Sequence, residues 1–164
     1  MTVALCPGSF DPPTNGHVDV VERASRHFGR VIVAVLANPS KAPLFDVEER
    51  VGLLKMSLAH LTNLEIDHYE GLLVDLARVR GVNVIVKGLR ALSDLDYELQ
   101  MAQANANLLG DVDTLFIATN PRWSFISSSL VKEIARYGGN VAGVVPDVVN
   151  QALLRRFSGN PGMV

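Results

Sequence analysis

Val3-Ala4-Leu5-Cys6-Pro7-Gly8-Ser9-Phe10-Asp11-Pro12-Pro13-Thr14-Asn15-Gly16-His17 is the stretch from which the rest of the chain is read. Val3 to Cys6 is short, apolar and unbroken, the pattern of a strand buried on both faces. From Val18 to Phe28 the apolar residues recur at helical spacing. Val18, Val21, Ala24 and Phe28 lie on the inner stripe, with Glu22, Arg23 and Arg26 outward and Gly29 at the end. A strand thus passes through a Gly/Pro turn into a helix. That geometry brings unpaired N–H groups and the positive end of a helix dipole to the turn. The result is a cradle for phosphate, with His17 at its mouth. Gly8 and Gly16 are expected to let the backbone approach a ligand closely, while Pro7, Pro12 and Pro13 stiffen the connection. The Rossmann G-x-G-x-x-G and the Walker loop are both absent.

The alternation of strand and helix continues outward from that turn. Arg30 to Ala37 is a β-branched strand that stops at the loop Asn38-Pro39-Ser40-Lys41-Ala42-Pro43. Asp46 and Glu49 have capping-box spacing ahead of a helix striped by Val47, Val51, Leu54 and Leu58. Leu64 to Tyr69 alternates apolar and polar residues, as an edge strand does. Leu72 to Val79 is a short helix closed by Gly81. Val82 to Val86 is a fourth strand, with Lys87-Gly88-Leu89-Arg90 at its carboxyl end. A helix from Ser93 or Asp94 is expected to bury Leu95, Leu99, Ala102 and Ala106. Thr114 to Ala118 is a fifth strand, running into Trp123-Ser124-Phe125-Ile126-Ser127-Ser128-Ser129. Those serines open a helix with Ile126, Leu130, Ile134 and Tyr137 on one stripe. They can satisfy orphan N–H groups or present them to phosphate. Pro146 starts a last helix holding Val149, Leu153 and Phe157.

The pattern specifies an α/β fold: one doubly wound, Rossmann-like parallel sheet of five strands with helices on both faces. Residues 1–157 are expected to form a single domain and 158–164 a flexible tail. Candidate ligand residues collect after strand carboxyl ends, the edge where open α/β sheets bind ligands.

Composition narrows the function classes. The chain has 164 residues, 48% hydrophobic and 20% charged, with formal net charge −2. Fifteen basic residues against seventeen acidic ones leave no excess for a nucleic-acid footprint, so any anion site must be local. Cys6 is the only cysteine and is expected to be a buried strand residue. No apolar run is long enough to span a bilayer, and the start of the chain has no signal-peptide pattern. The expected location is the cytoplasm, with no membrane or nucleic-acid partner.

Thr14-Asn15-Gly16-His17 resembles the T/H-x-G-H signature of nucleotidylyltransferases. Pro7-Gly8-Ser9-Phe10-Asp11-Pro12 resembles the opening of one branch, the bacterial phosphopantetheine adenylyltransferases. Lys87-Gly88-Leu89-Arg90, Asp96-Tyr97-Glu98-Leu99-Gln100-Met101 and Trp123 to Ser129 are similar to further segments of that family, in order and sensibly spaced. The resemblance implies transfer of the adenylyl group of ATP to 4′-phosphopantetheine, giving dephospho-coenzyme A and pyrophosphate without a covalent intermediate. It implies His17, Lys41 and Arg90 as the catalytic groups. It implies an ATP site of Ser9, Phe10, His17, Gly88, Leu89, Arg90, Glu98, Trp123, Ser124, Phe125, Ile126, Ser127, Ser128 and Ser129. The acceptor would be held by Ser9, Lys41, Leu73 and Lys87. It also implies Mg²⁺ carried mainly by the triphosphate, inhibition by coenzyme A, and a homohexamer. Two alternatives remain: an adenylyltransferase for another phosphate acceptor such as nicotinamide mononucleotide, and a non-catalytic adenine-nucleotide sensor.

Overall fold

Five apolar runs form a single parallel sheet in a computed structural model that describes residues 2–37 and 42–158. In chain order the elements are β1 (Val3–Gly8), α1 (Asn15–His27), β2 (Arg30–Leu36), α2 (Val47–Ser57), β3 (Leu64–Tyr69), α3 (Leu73–Arg80), β4 (Val84–Leu89), α4 (Leu92–Leu108), β5 (Asp113–Ala118), α5 (Ser128–Arg136) and α6 (Asp147–Phe157). The sheet order is β3-β2-β1-β4-β5, with every neighbouring pair parallel. The Rossmann-like α/β architecture expected from the sequence is the one observed.

Because strand side chains alternate, the central strands feed two cores. Ala4 and Cys6 of β1, Val31, Val33 and Val35 of β2, and Val86 of β4 pack under α1 and α2. Leu5, Ile32, Ala34 and Ile85 face the other way, under Leu76 and Ala77 of α3. A third cluster joins Leu53 of α2 to Val131, Ala135, Val149 and Leu153 of α5 and α6. The chain winds outward from β1 to β3, then returns to β1's other side for β4 and β5. That reversal opens a crevice at the carboxyl ends of β1 and β4, where such sheets take their ligands.

Several local expectations are corrected. β4 begins at Val84 rather than Val82, because the Val82 N–H is spent on the Ala77 carbonyl in the left-handed Gly81 turn that closes α3. Lys87, Gly88 and Leu89 are therefore strand residues in register with Phe116, Ile117 and Ala118. The inner stripe of α1 is Gly16, Val20, Val21 and Ala24, with Val18 and Phe28 half-buried. In α5 the buried residues are Val131 and Ala135, and Tyr137 beyond its end is exposed. In α4 only Asn105 is buried. Leu99 and Ala106 are exposed, and Leu95 and Ala102 half-buried. β5 is an edge strand, so no further layer covers the helix beside it. Cys6 is buried as expected, and burial pushes its thiol pKa up to about 12. Among the described residues no helix is long and apolar enough to cross a membrane.

Candidate functional site

The turn after β1 is shaped by its own side chains. Phe10 takes a left-handed backbone (φ 50°) and is 5% exposed. A Cβ on Gly8 would lie 2.9 Å from the Phe10 ring, so Gly8 is small to admit that ring, and it also lines the cavity of the site. Gly16 likewise faces Thr119 and Trp123. Phe10 then meets His17 edge-on, with ring centroids 5.1 Å apart.

Thr14 caps α1, and its reciprocal partner is His17. Thr14 Oγ1 accepts the His17 N–H at 3.4 Å, and the Thr14 N–H donates to His17 Nδ1 at 3.0 Å. The cap fixes the tautomer: Nδ1 supplies a lone pair, so the neutral ring carries its proton on Nε2. Burial, with Arg90 and Lys87 adding repulsion, lowers the His17 pKa from 6.5 to about 4. At neutral pH His17 is an uncharged Nε2–H donor.

This shift has a thermodynamic consequence. Between pH 6.5 and about 4 the unfolded chain binds a proton that the folded ring refuses, so stability falls as pH falls through that window. Chemical denaturation is expected to show about 2 kcal/mol lost from this group between pH 7 and 5, and a His17→Gln variant should lose that part of the slope.

The ring lines a cavity of about 540 Å³ at the β1/β4 crevice. From the sequence-derived candidates the structure brings together Ser9, Phe10, His17, Lys87, Gly88, Arg90, Glu98, Ile126, Ser127, Ser128 and Ser129. Lys87 Nζ lies 3.2 Å from Glu98. Arg90 is forked onto the Asp94 carboxylate at 3.1 and 3.2 Å and donates to the Ile126 carbonyl at 2.9 Å, which ties the end of β4 to the approach to α5. Ser127 is the N-cap of α5, and its Oγ accepts the Leu130 N–H. Ser128 and Ser129 are the first two helical residues, whose N–H groups have no intrahelical acceptor.

Other candidates lie off the cavity wall. The Leu89 carbonyl accepts the Thr119 N–H. Trp123 donates from Nε1 to the Gly143 carbonyl at 3.3 Å, Ser124 bonds the Pro121 carbonyl, and Phe125 is exposed. The wall begins at Ile126. Leu73 opens α3 and packs against the core on that face of the sheet. Lys41 lies outside the described residues.

Sequence reading missed Asp94 and Thr119 as parts of this wall. Asp94 had a signal, an opposite charge four residues after Arg90, although Arg90 itself precedes α4. Thr119 had none. Arg50 was also missed: it is 5% exposed and donates to the Ser9 and Leu36 carbonyls. Among the described residues no three His, Cys, Asp or Glu side chains cluster as a metal site. The cavity's carboxylates, Asp94 and Glu98, are each paired with a cation.

Comparison with known proteins places this geometry. Residues 5–134 match the model of the family described as cytidylyltransferase-like. Among solved structures, the chain superposes on a candidate nicotinate-nucleotide adenylyltransferase of Vibrio parahaemolyticus with a TM-score of 0.70. Identity is 18%, over 98% of each chain. At that identity the likeness speaks for the fold alone. The family match spans the capped histidine, both cations and the start of α5: the chain belongs to the cytidylyltransferase-like family, within the nucleotidyltransferases.

Proposed function

We propose that the protein transfers the adenylyl group of ATP to 4′-phosphopantetheine in the cytoplasm, releasing pyrophosphate and forming dephospho-coenzyme A. The observation that carries this reading is the neutral His17 with its Nε2 proton, on a wall shared with Lys87, Arg90 and the first amides of α5. The acceptor phosphate is already an anion at neutral pH, so no general base is required. Its oxygen forms a bond to the α-phosphorus of ATP while the bond to the pyrophosphate oxygen breaks. Charge then develops on the α-phosphate oxygens, where a fixed donor helps most. In this reading His17 donates there, Arg90 and the Ser127–Ser129 amides hold the leaving phosphates, and Ser9, Lys87, Lys41 and Leu73 hold the acceptor. Glu98 and Phe10 complete the nucleotide site, with Trp123, Ser124, Phe125 and Leu89 supporting it from behind. Mg²⁺ would arrive on the triphosphate and offset its charge. That suits a wall whose carboxylates are already paired.

The test is pyrophosphate release with ATP and Mg²⁺, comparing 4′-phosphopantetheine with nicotinamide and nicotinate mononucleotides. Release only with phosphopantetheine is expected. Release only with a pyridine mononucleotide would keep the mechanism and move the acceptor, as the name of the Vibrio protein would suggest. ATP binding with no release in any arm would favour a nucleotide sensor. Coenzyme A, which shares the product's shape, is proposed as an inhibitor of the same site.

Self-association as a homohexamer belongs to the same proposal. From Leu99 to Leu109 the chain carries no charge, although most of these residues are exposed. An exposed, uncharged and partly apolar helix face beside an edge strand suits a second copy of the chain. The double variant Met101→Glu, Leu108→Glu is expected to run as a monomer in analytical ultracentrifugation, against a larger species for the parent.

A further inference from the structure

The cavity wall is made by two backbone arms from opposite ends of the chain: the turn after β1, with Ser9, and the first turn of α5, with Ser127 to Ser129. Something must fix the distance between them. Asp11 sits in the first arm and is 6% exposed. Its Oδ1 accepts the Phe45 N–H and its Oδ2 the Leu44 N–H, both at 2.9 Å. Oδ2 also accepts from Lys132 Nζ at 2.8 Å. Burial alone would raise the Asp11 pKa, but Lys132 and the two amides outweigh it and hold the carboxyl below its usual range. Lys132 follows Ser128 by one helical turn, so both lie on the same face of α5. Ser128 Oγ donates to the Pro12 carbonyl at 2.7 Å. Two adjacent residues of one arm are thus fastened to two stacked residues of the other. Neither Asp11 nor Lys132 lines the main cavity. Both line a smaller chamber of about 290 Å³ behind Ser9, Ser128 and Ser129.

We propose that Asp11 and Lys132 are a positioning pair that sets the spacing between the two phosphate-facing arms and so aligns His17 with the amides of α5. The inference rests on the adenylyl-transfer reading above. A group holding the reacting phosphates from two sides loses rate, more than affinity, when those sides drift apart. A misplacement of about 1 Å can cost on the order of a hundredfold. Each arm still binds part of the triphosphate, so ground-state binding changes less.

The experiment compares Asp11→Asn, Lys132→Met, the double variant and Lys132→Arg by steady-state pyrophosphate release, with ATP affinity measured by calorimetry. Each of the first two is expected to lower kcat by about tenfold or more while ATP Kd stays within about twofold. The double variant should be no slower than the worse single one, because both remove the same tie. Lys132→Arg, which keeps the charge-assisted bond, should recover most of the rate. A lower melting temperature with kcat unchanged would make the pair merely structural and overturn the proposal. So would weaker ATP binding in Lys132→Met alone, which would make Lys132 a direct phosphate ligand. Should Asp11→Asn fail to fold, the Lys132→Met and Lys132→Arg comparison decides by itself. A parent protein that turns over no acceptor sinks the function reading and the pair with it. A parent that turns over beside variants of equal kcat sinks the pair alone.

Discussion

His17→Ala is expected to lower kcat by about a hundredfold to a thousandfold, the scale for removing one fixed donor from a developing oxyanion, with ATP affinity nearly unchanged. The structure explains why the loss should fall on the rate. His17 is neutral, so it contributes little long-range attraction to the triphosphate in the ground state. In the proposed reading that attraction would come from Lys87, Arg90 and the start of α5, which share the cavity wall with His17. The Nε2 proton is a directional group held in place before substrate arrives, by the Thr14 cap on one side of the ring and the edge of Phe10 on another. Its worth is greatest when negative charge builds on the oxygen in front of it. The pH profile offers a second reading of the same residue. With its pKa lowered to about 4, the imidazole should leave kcat flat from pH 6 to 8. An acidic limb near 6.5 belonging to His17 would contradict the neutral-donor role, as would an alanine variant that loses ATP binding at full kcat.

Gly88→Ala should be the most damaging single-methyl change at the site. A Cβ there would lie 2.8 Å from Cγ2 of Val20, a buried, β-branched side chain of α1 with little rotamer freedom. The strand cannot retreat, because Gly88 is paired with Ile117 of β5. The helix must move instead, and α1 carries His17. Overpacking of this kind costs about 1–3 kcal/mol, or roughly 2–12 °C in melting temperature for a chain of this size, and activity should fall with it. Val20→Ala in the same chain removes the clashing methyl and should restore much of both. A Gly88→Ala protein as stable and active as the parent would show that the two elements do not touch as closely as described.

Much of this was legible because it depends on residue type and local order. Unbroken apolar runs separated by helical stripes gave the sheet. The Gly/Pro turn followed by Thr14-Asn15-Gly16-His17 located one wall of the cavity, and Lys87, Arg90 and Ser127 to Ser129 followed from their place at or beyond the carboxyl ends of strands. What was missed depends on how the chain packs, which residue type alone does not show. Nothing in the sequence says that Phe10 curls back over Gly8, so the second reason for that glycine went unseen. Nothing says that α4 flanks an edge strand, so its leucines looked like core. Trp123 to Phe125 resembled cavity wall by motif, yet the polypeptide turns inward only at Ile126. Arg50 drew no notice, because backbone carbonyls that satisfy a cation leave no mark in a sequence. The family likeness was legible at the level of nucleotidyl transfer. The acceptor depends on the shape of a site that motifs alone do not draw.

The Gly143 carbonyl accepts from both Asn15 Nδ2 and Trp123 Nε1, and the neighbouring Val144 carbonyl accepts the Asn15 N–H. Gly143 itself takes a left-handed backbone (φ 84°) that a side chain would resist. The consequence concerns timing. On the ribosome the first arm of the site emerges more than a hundred residues before the carbonyls that brace it. A nascent chain that has made β5 and α5 holds every recognisable motif, but the amide of Asn15 and the indole of Trp123 still wait for partners. The turn is therefore braced only once Gly143 and Val144 have been made, and a fragment stopped after α5 would carry the motifs that mark the family without the carbonyls that hold Asn15 and Trp123.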